Sequence, residues 1–196
     1  MTRTEIESTI EEIAKNAFAY LYDAYHGETK GGVIFPNYTH GKKAGEIRVS
    51  EQELKCAFIE ELRKEKPSWF YAVETPTERK YRFKEKDNIC VNEEIGQSAQ
   101  FDLTIYDENR KLLAQIEFKA HAGTTVDQYE KDFLKLAQDC QDERVSRYFI
   151  QLFHKFEAKS EKRVCSKLSA CKKRVEGIAN VHYKYCILDG SGKISW

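Results

Sequence analysis

Between residues 4 and 25 the apolar side chains Ile6, Ile10, Ile13, Ala14, Ala17, Phe18 and Leu21 recur at three- and four-residue spacing. This spacing predicts an amphipathic helix. Its polar side is acidic early on, where negative charge suits the positive end of the helix dipole. Glycines 27, 31, 32, 41 and 45 and Pro36 then predict a loop from His26 to Arg48. Ser50 followed by Glu53 forms a capping box, in which the hydroxyl meets a free backbone N–H and the carboxylate reaches back to the cap. Leu54, Ala57, Phe58 and Leu62 continue as an apolar stripe, which predicts a second helix over 51–64, ended by Pro67.

Strand patterns follow. Trp69 to Thr75 is rich in β-formers and is expected to stop at Pro76, with Tyr81 to Phe83 pairing back or belonging to an excursion. The charged stretch from Lys84 to Gln97 reads as loop. Ala99 to Tyr106 alternates, residues 107–110 make a turn, and Leu112 to Ala120 forms the second arm of a hairpin. Val126, Tyr129, Phe133, Leu136 and Ala137 predict a helix over 125–139, and Arg147 to His154 a buried strand. A helix over 157–178 and a strand from Val181 to Leu188 close the pattern. The order predicts an α/β protein of one domain, a mixed β-sheet flanked by helices. Residues 1–49 read as an N-terminal helix and loop extension, 50–155 as the core, and 156–196 as a C-terminal helix and strand.

A chain of 196 residues can bury a core without metal or disulfide staples. The six cysteines show no C-x-x-C pair and read as reduced thiols of a cytoplasmic protein. The opening residues lack the basic and apolar regions of a secretory signal, and no apolar run approaches the ~20 residues of a membrane span. Charge balances at 32 basic against 32 acidic side chains, which removes the simplest argument for a polyanion partner. The balance is uneven along the chain. Residues 1–120 hold 18 basic and 22 acidic side chains and residues 121–196 hold 14 and 10, with Lys162 and Arg163 in the basic stretch between Lys155 and Arg174. A basic helix of this kind suits a phosphate backbone, and a solvated helix face explains it as well.

The hairpin carries the chemistry. Glu117 and Lys119, two apart on one strand, share a face, while Ile116 and Phe118 point into the core. Asp102 lies on the partner strand, so two carboxylates and one lysine can converge. A hard cation such as Mg²⁺ is held by one or two carboxylates plus water and substrate phosphate. Asp102, Glu117 and the Phe118 backbone carbonyl supply such oxygens, with Mn²⁺ the natural substitute. Lys119 is positioned to orient the attacking water or to stabilise charge in the transition state. From the spacing alone a surface ion pair between Glu117 and Lys119 is the readier account, because D followed by E-x-K is a loose pattern that many chains meet by chance.

The run QFDLTIYDENRKLLAQIEFKA resembles the D…(D/E)xK hairpin of the PD-(D/E)XK nuclease superfamily, the restriction-endonuclease-like fold. The similarity spans residues 50 to about 155. Phe101 stands where the family has proline, a residue that itself holds no metal. The resemblance implies a Mg²⁺-dependent nuclease acting on DNA, with Asp102 and Glu117 as metal-binding acids and Lys119 as the catalytic lysine. It further implies an acid from the preceding helix. Glu53 is the preferred one beside Glu60, although capping explains Glu53 too; Glu51 and Glu61 read as solvated, and Glu74 ranks lower. His121, Lys131, Lys162 and Arg163 are candidate substrate contacts, Gln128 could line the same cleft, and a homodimer using the N-terminal helix is possible. The alternatives are a catalytically inactive module of the same fold that binds nucleic acid or a protein partner, and an unrelated α/β protein.

Overall fold

The first helix, α1 (Arg3–Tyr25), begins at a capping box in which Thr2 and Glu5 satisfy each other's backbone N–H groups. All seven residues of its predicted stripe are buried. They pack against α2 (Glu51–Glu65) and one face of the sheet, so the apolar side of α1 is covered within the chain. The Ser50–Glu53 capping box opens α2 as predicted, and Leu54, Ala57, Phe58 and Leu62 enter the same core. Phe58 meets Phe118 edge to face at 5.5 Å between ring centroids.

The computed structural model describes residues 1–82, 90–120, 126–140, 142–154, 158–175, 180–189 and 194–195. Among these, seven strands form one mixed sheet: β1 (Phe70–Arg82), β2 (Cys90–Val91), β3 (Gln97–Tyr106), β4 (Leu112–Ala120), β5 (Ser146–Phe153), β6 (Val181–Ile187) and β7 (Ile194–Ser195). They lie in the order β2-β1-β3-β4-β5-β6-β7. The β4–β5 and β5–β6 pairs are parallel and the others antiparallel. Crossovers through α3 (Val126–Gln138) and α4 (Ala158–Arg174) link the parallel strands. These two helices pack on the sheet face opposite α1 and α2, giving a three-layer α/β/α arrangement. Strand β5 is buried at every position, as a central parallel strand must be.

Two expectations are corrected. Strand β1 does not stop at Pro76 but continues to Arg82, with a register shift between Pro76 and Lys80. The backbone donors freed there are met by Asp139, at the end of α3, which accepts from Arg79 N at 2.9 Å, Glu78 N at 3.2 Å and the Tyr81 hydroxyl at 3.1 Å. Thr77 Oγ1 accepts from Ala99 N across the same irregularity. The stretch read as loop from Lys84 to Gln97 contains β2, and β7 is an addition the pattern did not reveal.

Candidate metal centre

Strands β3 and β4 pair from their turn, across a register shift between Ile105 and Tyr106, only as far as Leu103 opposite Ile116. Beyond that point the ladder opens. Asp102 Oδ2 accepts the Phe118 backbone N–H at 2.7 Å, a side-chain carboxylate standing in for the missing backbone acceptor. In an extended strand the N–H and C=O of one residue point to the same edge. The Phe118 carbonyl therefore faces the opening as well, beside Asp102. The Gln100 carbonyl, on the other lip, accepts from Lys135 of α3 at 2.8 Å.

Glu117 and Lys119 share the face toward α3, while Ile116 and Phe118 enter the α1/α2 core. Glu117 is almost wholly buried, and its Oε1 lies 2.6 Å from Lys135 Nζ. Lys119 Nζ lies 2.9 Å from Asp132 Oδ2 and 3.7 Å from Glu51 Oε1. Asp132 turns its other oxygen to Lys135 at 3.2 Å, one helical turn away. On the α2 side, buried Lys55 reaches Glu74 at 2.8 Å and Asp102 Oδ1 at 3.5 Å. Glu74 itself adopts a left-handed backbone, φ 50°, an uncommon conformation for a residue with a Cβ.

The electrostatics follow from this crowding. Burial pushes the Glu117 carboxyl well above the usual carboxylate range, and the charges of Asp132 and Asp102 add to the effect against the opposing Lys135. Burial also raises Glu51, with Lys119 opposing. Lys119 responds the other way: burial disfavours its charge, but Asp132, Glu51 and Glu117 hold it above the ordinary lysine value. Its charged, ammonium form is therefore the favoured one in this arrangement. Lys55 is raised likewise, against the cost of burial, by Glu74 and Asp102. Five carboxylates, Glu51, Glu74, Asp102, Glu117 and Asp132, meet three ammonium groups, Lys55, Lys119 and Lys135. Fully ionised, the cluster carries two negative charges in excess, the complement of one divalent cation.

The predicted trio Asp102, Glu117 and Lys119 is thus brought to one opening. The predicted helix acid is not the one that reaches it. Glu53 is buried but turned to its cap: Oε2 accepts from Ser50 N and the Ser50 hydroxyl, and Oε1 pairs with Arg48 at 3.0 Å. Glu60 is exposed, and Glu61 pairs with Lys64. Glu51, read as solvated, is half-buried against Lys119 instead. Lys55, Asp132 and Lys135 did not figure in the sequence reading. Their signal was present: each is a charged residue on the apolar face of its helix, Lys55 beside Leu54 and Phe58, Asp132 and Lys135 among Tyr129, Phe133 and Leu136. Of the candidate substrate contacts, Lys131 is half-buried on α3 and Lys162 exposed on α4, with Gln128 exposed on α3. His121 and the Arg163 side chain lie outside the described residues.

Among the described residues the donors at the opening are all oxygen, which suits a hard cation. Among the described residues no three acidic, histidine or cysteine side chains close into a cage, since ammonium groups stand between the carboxylates. Asp102, Glu117 and the Phe118 carbonyl are oxygen donors of the kind that Mg²⁺ takes while keeping several waters. Fold and site together define a mixed-sheet α/β protein with a carboxylate–ammonium centre at the open end of its central hairpin. Comparison with protein-family models, with curated proteins and with solved structures finds no match.

Proposed function

We propose that this chain is a metal-dependent nuclease of the PD-(D/E)XK type, hydrolysing DNA phosphodiester bonds at the opening between β3 and β4. One observation carries the reading: Asp102, Glu117 and Lys119 meet there in a cluster whose excess charge matches one divalent cation. Asp102, Glu117 and the Phe118 carbonyl would hold Mg²⁺, or Mn²⁺ in its place. Such an ion supplies polarisation of a phosphoryl oxygen and a more acidic bound water. Lys119, kept charged by Asp132 and Glu51, stabilises negative charge growing on the phosphate. Lys162, exposed on α4, lies on the helix that packs beside α3 and offers a positive face to the nucleic-acid backbone. The six cysteines are all free thiols, which fits a reducing, cytoplasmic setting, and no described helix is long and apolar enough to cross a membrane.

The test is hydrolysis of plasmid and single-stranded DNA with Mg²⁺ or Mn²⁺. The wild type should cut, Asp102→Ala should not, and Lys119→Ala should lose about 10²–10³-fold in rate, the usual worth of one preorganised transition-state contact. Equal rates in all three sink the assignment. A second reading, a module that binds nucleic acid or a protein partner without cleaving, draws on the ammonium partner that each inner carboxylate already has. Calorimetry showing no Mn²⁺ uptake by the folded chain would favour it.

A further inference from the structure

We propose that the Lys135 ammonium is a built-in cation of this centre, filling the position a second metal ion would need, so that the chain takes up one divalent ion and not two. The inference rests on reading Asp102 and Glu117 as a metal site and concerns what limits it.

Lys135 projects from the third turn of α3 into the sheet and is 4% exposed. Its Nζ meets three oxygens: Glu117 Oε1 at 2.6 Å, the Gln100 carbonyl at 2.8 Å and Asp132 Oδ1 at 3.2 Å. An ammonium has three donors, and all three are used. Two carboxylate oxygens and a backbone carbonyl are also the donor types that a hard divalent ion takes. The Phe101 ring centroid lies 5.8 Å from the nitrogen, a cation–π contact that adds to these three oxygens.

Two-metal centres hold their ions roughly 3.5–4 Å apart, bridging both ends of the reacting phosphate. Here Glu117 is the carboxylate placed to bridge. Its Oε1 is held by Lys135, and its Oε2 has no hydrogen-bond partner among the described residues. Asp132 has no such free side, because Oδ1 goes to Lys135 and Oδ2 to Lys119. One ion can therefore join Glu117 Oε2 with Asp102, while the far side of Glu117 is already occupied by a tethered charge. The same charge lets two buried acids coexist without metal, since neither Glu117 nor Asp132 stands unpaired.

Mn²⁺ titration followed by calorimetry and electron paramagnetic resonance tests this on the full chain. The wild type is expected to bind one Mn²⁺ with the spectrum of an isolated ion. Lys135→Met, similar in length and uncharged, is expected to bind two, with a magnetically coupled spectrum. Its melting temperature should fall in chelator and recover on Mn²⁺ addition by more than the wild type gains. Lys135→Arg, which keeps the charge, should still bind one. Lys135→Gln gives the count if the methionine variant does not fold. Two coupled ions in the wild type, or one ion in both uncharged variants, overturns the role of Lys135. No uptake by the wild type overturns the metal-site reading itself, and the limit on it as well.

Discussion

Asp139 shows how one side chain can hold a strand in a shape its backbone alone would not keep. Pro76 offers no N–H and the register of β1 shifts behind it, yet Asp139 accepts two backbone N–H groups and the Tyr81 hydroxyl. Tyr81 is accordingly buried and its phenol raised, first by burial and then by the Asp139 charge. Asp139→Ala leaves those donors without acceptors and should lower stability by about 1–3 kcal/mol in urea unfolding. Mn²⁺ uptake should be unchanged, since Asp139 belongs to the bulge and not to the metal centre. At this scale the sequence was readable where a residue repeats a spacing and opaque where it answers a neighbour far along the chain. Glu117 and Lys119 announce themselves two apart on a strand. Asp132 and Lys135 stand on the apolar face of α3, which marks them as unusual, but the partners they answer become visible only when the sheet is laid beneath them. Glu53 and Glu51 are two positions apart in the first turn of α2, and only the turn of the helix decides that one caps while the other reaches Lys119.

Among the elements, α1 and α2 follow their apolar periodicity closely, because each buries one regular face; the β3–β4 hairpin lies where its pattern put it, although β4 is buried on both faces. The end of β1 did not, because Pro76 normally stops a strand and its tolerance here depends on α3. The opening of the hairpin was likewise invisible: nothing in the alternation of QFDLTIY shows that pairing lapses at Asp102. That opening has a consequence for pH. Glu117 is raised by burial and by its acidic neighbours, so the metal-free centre retains a proton above the ordinary range near 4.5. An acid raised on folding contributes most to stability below its unfolded value, and that contribution is lost as pH rises through its folded value. A metal needs the ionised carboxylate, so its binding must displace the proton. Mn²⁺ affinity should therefore increase with pH above about 4.5, with proton release on binding. Calorimetry in buffers of different ionisation enthalpy measures both, and an affinity independent of pH would contradict the placement of Glu117 in the site.

For the whole molecule, the three layers divide the work. The α1 and α2 layer supplies the larger apolar core together with Glu51 and Lys55, and the α3 and α4 layer supplies Asp132, Lys135 and the basic surface. The neutral total of 32 against 32 side chains thus conceals an acidic N-terminal part and a basic C-terminal one. Packing divides the cysteines into two sets. Cys56, Cys90 and Cys165 are exposed, whereas Cys140, Cys171 and Cys186 are buried. Burial pushes the Cys186 thiol up to about 12. At pH 8 a thiol reagent should label the first three quickly and the other three only on unfolding, as mass spectrometry would show. Rapid labelling of Cys186 would contradict the closed packing of β5 against β6.

If Asp102 and Glu117 share one ion at the opening of the hairpin, a crystal of the chain soaked in Mn²⁺ should show it. One anomalous peak per chain is expected about 2.1 Å from an Asp102 oxygen, Glu117 Oε2 and the Phe118 carbonyl, with Lys135 still on Glu117 Oε1. No peak there, or a peak that touches neither carboxylate, would contradict the shared ion.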